Sequence, residues 1–146
     1  MKNKLLLYSF GALLPIYFLY SYNHMSVDYQ KNRVRSSLFG GTWDSFEDTP
    51  NVSFTLFLTQ TNLKIEGKHC SSMYRGHKID CSLEDVSVSG SINGSIAIIS
   101  FQSSYGLGKG DAKISLINNM LLWEITKPPK GEYYIPRKAF LKKRME

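Results

Sequence analysis

After residue 40 the sequence has no long run at helical spacing, which excludes a helical bundle for most of the chain. No repeat of 20–50 residues and no low-complexity tract is present, so a solenoid is also excluded. Cysteine is scarce: Cys70 and Cys81 allow at most one intramolecular disulfide. Tryptophan occurs only at positions 43 and 123. Acidic residues are outnumbered, 12 against 18 basic, for a net charge of +6. Seven of the basic residues lie from Lys127 onward, against Glu132 and Glu146. Such a tail is a solvated terminal strand or a contact for an anionic partner. The hydrophobic content of 42% is still enough to build a core and too high for a disordered chain.

The N-terminus is organised differently. Lys2 and Lys4 precede 18 uncharged, mostly apolar residues, Leu5 to Tyr22. This is the layout of an export signal, at the border between a cleaved leader and a membrane span. Cleavage after Ser21 would place Leu19 and Ser21 at the small-residue positions. Tyr17, Tyr20 and Tyr22 instead suit a membrane–water interface. Either way residues 1–22 are expected to direct the remainder to the periplasmic or extracellular side of a bacterial envelope, anchored or released. If they are not cleaved, they attach the chain to the membrane. Residues 23–40 read as a polar spacer, and residues 41–146 as the folded domain. An exported domain with two cysteines is expected to hold a Cys70–Cys81 disulfide. The alternation places Cys81 on an apolar face and Cys70 on a polar one, a mismatch that a bulge at Gly67 or pairing at a strand end would repair.

From Gly41 onward the chain alternates at period two. Val52, Phe54, Leu56 and Leu58 share one face of a strand. So do Leu63, Ile65 and Gly67, then His77, Ile79, Cys81 and Leu83, then Val86, Val88, Gly90 and Ile92. Ser95–Ser103, Asp111–Ile117, Met120–Lys127 and Tyr133–Lys142 complete the set. Asn93-Gly94 and Asn118-Asn119 are the hairpin signals. Eight or nine short strands would expose two edges unless they closed. The expected fold is therefore all-β, a single antiparallel eight-stranded up-and-down barrel, with a two-layer sandwich as the alternative.

The stretch SSYGLGKGDAKISL, Ser103–Leu116, has the look of a phosphate loop, with glycines at 106, 108 and 110 around Lys109. A phosphate loop needs a helix after its glycines and a Lys-Ser/Thr ending. Here the glycines are followed by the alternating run Asp-Ala-Lys-Ile-Ser-Leu-Ile, so they join two strands. The loop still offers Ser104, Tyr105 and Lys109 as a candidate binding mouth. Other chemistry is thin. His69, Cys70, His77 and Cys81 have zinc-ligand side chains, but adjacent strand residues point to opposite faces, so they read as a disulfide with two surface histidines, and no metal or other cofactor is expected. Asp80, Glu84 and Asp85 read as surface charges. Ser82, Ser87, Ser89 and Ser91 read as one polar face, with no His or Asp placed by motif to activate them. No catalytic residue is assigned, and an enzyme is not expected.

Two resemblances extend this reading. GTW at Gly41–Trp43, followed by SFTLFLTQTNLKIEGKHC, resembles the opening of the lipocalin and avidin barrels, the calycins. It implies a barrel whose Gly41 and Trp43 are structural, with the tryptophan plugging one end. Biotin binding is not implied, since Phe101 stands where avidins place a tryptophan. SSYG and KGDAKISL resemble pieces of bacterial periplasmic lysozyme inhibitors, which implies Ser103, Ser104 and Lys109 as counterparts. In this chain the two pieces are fused into one turn. The function expected is a non-enzymatic, envelope-exposed module binding an unknown small ligand or partner protein. The alternative is a protein inhibitor or immunity factor, and nucleic acid is not an expected partner.

Overall fold

The computed structural model describes residues 38–46 and 51–145. The chain divides into two units, Met1–Arg35 and Ser36–Glu146, and every described residue belongs to the second. Residues 1–22, expected to direct export, and residues 23–37 of the expected spacer lie outside the described residues.

Nine strands follow one another: β1 Gly41–Ser45, β2 Val52–Thr61, β3 Lys64–Met73, β4 Lys78–Ser82, β5 Val88–Asn93, β6 Ile96–Gln102, β7 Lys109–Ile117, β8 Met120–Lys127 and β9 Lys138–Lys143. All ladders are antiparallel, and β1 pairs with both β2 and β9. The ring therefore closes as β1–β2–β3–β5–β6–β7–β8–β9. This is the eight-stranded up-and-down barrel, and closure excludes the sandwich. The ninth strand shares a place in the wall: β5 pairs with Lys64–Gly67 of β3, and β4 pairs with His69–Met73 of the same strand. Residues 83–87 leave the wall between them.

The alternation does what period two requires. Phe54, Leu56 and Leu58 of β2, Ile99 and Phe101 of β6, Ala112 and Ile114 of β7 and Leu141 of β9 all point inward and are buried. Trp123 of β8 occupies the centre, with Phe54 and Phe101 each edge-on at 5.3 Å between ring centroids. Its indole N–H donates to the Pro136 carbonyl at 2.9 Å, so the buried polar atom is satisfied. Trp43 is also buried and donates to the Phe39 carbonyl at 2.8 Å. Phe39, which the sequence places in the spacer, is fully buried in this core.

The turns explain most boundaries. Asn118 and Asn119 both take positive φ, 48° and 62°, as a two-residue hairpin between β7 and β8 demands. The β5–β6 turn lies one residue later than the Asn93-Gly94 signal: Asn93 still pairs with Ile96, and Gly94, at φ 65°, opens the turn. The final strand begins at Lys138 rather than Tyr133, because residues 128–137, with Pro128, Pro129 and Pro136, form a long connection. The glycine-rich segment is the β6–β7 hairpin loop, and a strand follows it. Gly110 is needed for packing: a Cβ there would lie 2.6 Å from the Phe101 ring.

Candidate functional site

Three described connections gather at one end of the barrel, where β1 ends and β2 begins: β3–β4 (residues 74–77), β6–β7 (103–108) and β8–β9 (128–137). The opposite end has the tight hairpins after β2, β5 and β7. It also has an open cleft of about 450 Å³ lined by Leu38, Trp43, Ser95, Leu116, Asn118, Asn119 and Lys143. A second open cleft, about 370 Å³, runs along the wall past Phe57, Lys68 and Val86. Neither is lined by Trp123, Phe54 or Phe101, which fill the middle of the barrel.

At the loop end the wall is incomplete. Among the described residues β4 has a backbone partner on one side only, β3. On the other side a side chain replaces the ladder. Asp80, fully buried, accepts from Ser103 Oγ at 2.6 Å and from Tyr134 N at 3.0 Å through Oδ2. Its Oδ1 accepts from Ser104 N at 2.8 Å and Ser104 Oγ at 2.9 Å, and lies 3.3 Å from His69 Nε2. One carboxylate thus ties β3, β4 and two loops together. Burial pushes this carboxyl up, but the hydrogen bonds from His69, Ser103, Tyr134 and Ser104 outweigh burial and hold it far below the usual carboxylate range.

His69 extends the network. Its Nδ1 lies 2.7 Å from Ser87 Oγ, and the ring is 1% exposed. Asp80 only accepts, so in the neutral ring Nε2 carries the proton and Nδ1 accepts from the Ser87 hydroxyl. Ser87, His69 and Asp80 therefore have the connectivity of a nucleophile, base and orienting acid. Ser87 is only 6% exposed, however, which encloses the hydroxyl. Ser71, opposite Asp80 in the ladder, is fully buried and its Oγ has no hydrogen-bond partner.

This geometry corrects three expectations. Asp80 is buried and not a surface charge, because its residue-even phase faces inward while Ile79 and Leu83 are 53% and 50% exposed. His69 is a core residue for the same network. Ser82, Ser87, Ser89 and Ser91 do not form one face: Ser87 turns inward to His69, whereas Ser91 is exposed. The inverted phase of β4 also removes the cysteine mismatch. Cys70 and Cys81 are directly opposite on the outer face and form the disulfide, and the β2–β3 ladder runs through Gly67 without a bulge. With both cysteines bonded to each other, the zinc-type quartet is dissolved.

The proposed mouth residues lie at this end but differ in character. Ser104 is an anchor, bonded twice to Asp80. Tyr105 is 45% exposed, with its ring edge-on to Tyr134 at 5.0 Å and 85°. Lys109 is exposed at the start of β7, and Leu107, between them, is 91% exposed. Tyr134 and Lys78 were not picked out by the sequence. The Lys78 ammonium lies 4.9 Å from the Tyr134 ring centre, and Tyr134 raises its pKa above the ordinary lysine value. No protein-family model, curated protein or solved structure matches this chain.

Proposed function

We propose that this chain is a non-enzymatic, envelope-exposed binding module that engages a macromolecular partner with the loop end of its barrel. The filled interior carries the reading: a lipocalin-type ligand needs an enclosed cavity of roughly 300 Å³ or more, and here Trp123, Phe54 and Phe101 occupy that space. Contact is then left to the outside. The Asp80 network supports the loop end as the contact, because it holds two loops in place before any partner arrives. Pre-ordered loops lose less entropy on binding. The disulfide, weakly, supports an oxidising and extracytoplasmic setting.

Site-specific photo-cross-linking in the producing cell tests this. A diazirine amino acid at Leu107, on the loop end, should give adducts. The same residue at Ile117, 42% exposed at the opposite end, should give few. Equal adducts at both positions, or adducts from Ile117 alone, would overturn the reading. A second reading, an inhibitor or immunity factor, is favoured by the protruding Leu107. It predicts dose-dependent inhibition of a bacterial-wall hydrolase that Leu107→Asp abolishes.

A further inference from the structure

The charge at the loop end is distributed in a way that the net charge alone does not reveal. Arg75, Lys130 and Arg137 lie in two of the loop-end connections, Lys78 and Lys109 are the first residues of β4 and β7 that follow the β3–β4 and β6–β7 loops, and among the described residues none of the five pairs with a carboxylate. The ion pairs of Glu124 join strand residues, and Asp44 of β1 pairs with Arg144 just after β9. Within the described loop segments the carboxylate is Glu132, which accepts from the Tyr134 hydroxyl at 2.8 Å; Asp80 of β4 is buried and saturated by donors, and the sequence adds Glu47 and Asp48 between β1 and β2. Glu84 and Asp85 belong to the excursion between β4 and β5. Tyrosines stand among the cations: Tyr74 is 63% exposed, and Tyr105 and Tyr134 meet at a right angle. Leu107 is the one large, well-exposed aliphatic side chain on these described loops.

We propose that the loop end binds an anionic polysaccharide. The inference rests on the loop end being the contact surface, and adds its chemistry. Cations without a carboxylate partner, in or beside three connections, match a polymer whose negative charges repeat, better than a ligand with one charge. Tyrosine rings offer flat apolar faces to the C–H side of a sugar and hydroxyls to its polar rim. Cations outnumber the large exposed aliphatic side chains on these loops, whereas the cores of protein interfaces are depleted in charge. The disulfide argues for a compartment where nucleic acid is not the usual polyanion.

The test uses the oxidised chain and dextran sulfate as the probe, with uncharged dextran, polyglutamate and oligo-dT as comparisons. Arg75→Glu, Lys109→Glu and Lys130→Glu together should weaken dextran sulfate binding by roughly tenfold or more, because reversed charges repel the polymer. An equal change on the wall and at the other end, Lys64→Glu, Lys68→Glu and Lys143→Glu, should weaken it by no more than about twofold if location matters more than net charge. Tyr105→Ala should add a loss with unchanged salt dependence, and uncharged dextran should not bind. Equal losses from both triple variants would mean that only overall charge acts, and would overturn the inference together with its support for the loop end. Polyglutamate or oligo-dT bound more tightly than dextran sulfate, and lost only in the loop-end variant, would overturn the glycan class while leaving the loop end as the contact.

Discussion

Replacing Asp80 by Asn removes one charge and almost no volume. The carboxylate accepts from Ser103, Ser104 twice and Tyr134, and faces His69. An amide keeps one acceptor oxygen. If it sits at Oδ1, the new NH₂ points at Tyr134 N–H and sets two donors against each other. Hydrogen bonds to a charged group contribute about 1.5–3 kcal/mol each, and breaking one side of a buried charged network typically costs about 3–5 kcal/mol. We therefore expect Asp80→Asn to lose about 3–5 kcal/mol. At about 4–8 °C per kcal/mol for a small domain, that is a Tm drop of at least about 12 °C. Thermal and urea unfolding followed by the fluorescence of buried Trp123 would measure it. The pH dependence gives an independent check. The folded carboxyl lies below its unfolded value, so its contribution is fully present above about pH 4 and is lost as pH falls further. Stability of the unaltered chain should therefore fall toward the variant's below pH 4, while the two differ by a constant amount near neutrality. A Tm change under about 3 °C, or curves that stay parallel down to pH 2, would refute the view that Asp80 ties the loops to the wall.

Ser71→Ala should leave stability unchanged or raise it by up to about 1 kcal/mol, since it deletes a buried hydroxyl that has no partner; chemical denaturation would show it. Cys70→Ser with Cys81→Ser should lower stability by about 3 kcal/mol on the chain-entropy estimate for so short a loop. Intact-mass measurement of protein from the cell envelope should show the oxidised form, lighter by two hydrogen atoms. Gly110→Ala should destabilise by about 1–3 kcal/mol, because the new Cβ meets the Phe101 ring and the Lys127 carbonyl. A fusion of residues 1–40 to a reporter active only after export should be active, and a silent fusion beside a working cytoplasmic control would remove the basis for an exported domain.

Much of the barrel was legible where alternation was unambiguous. β2 shows its inward face as Phe54, Leu56 and Leu58, and β7 as Ala112 and Ile114, because apolar and polar positions do not compete there. The Asn118-Asn119 hairpin was legible because two asparagines tolerate the positive φ that the turn requires. β4 was misread for a physical reason. Ile79 and Leu83 outweigh Asp80 on any hydrophobic count, yet the aspartate faces inward because its donors wait there. Those donors are remote in sequence: Ser103 lies 23 residues away and the Tyr134 amide 54. A local pattern carries no trace of them. The same distance hid the alliance of His69 with Ser87, and left Tyr134 and Lys78 out of a mouth read from residues 104, 105 and 109 alone.

The shared place of β4 and β5 in the wall also marks where this ring can be cut. Residues 83–86 are exposed and belong to no ladder, and the chain on either side is held to β3 independently. The two ends of the folded unit already meet: β1 lies beside β9, and Arg144 N donates to the Thr42 carbonyl at 2.8 Å. Joining those ends with a short linker and opening the chain between Glu84 and Asp85 would give a permuted protein in which every backbone ladder survives. Its new termini would emerge from the flank, leaving the loops that Asp80 secures free to face whatever they meet.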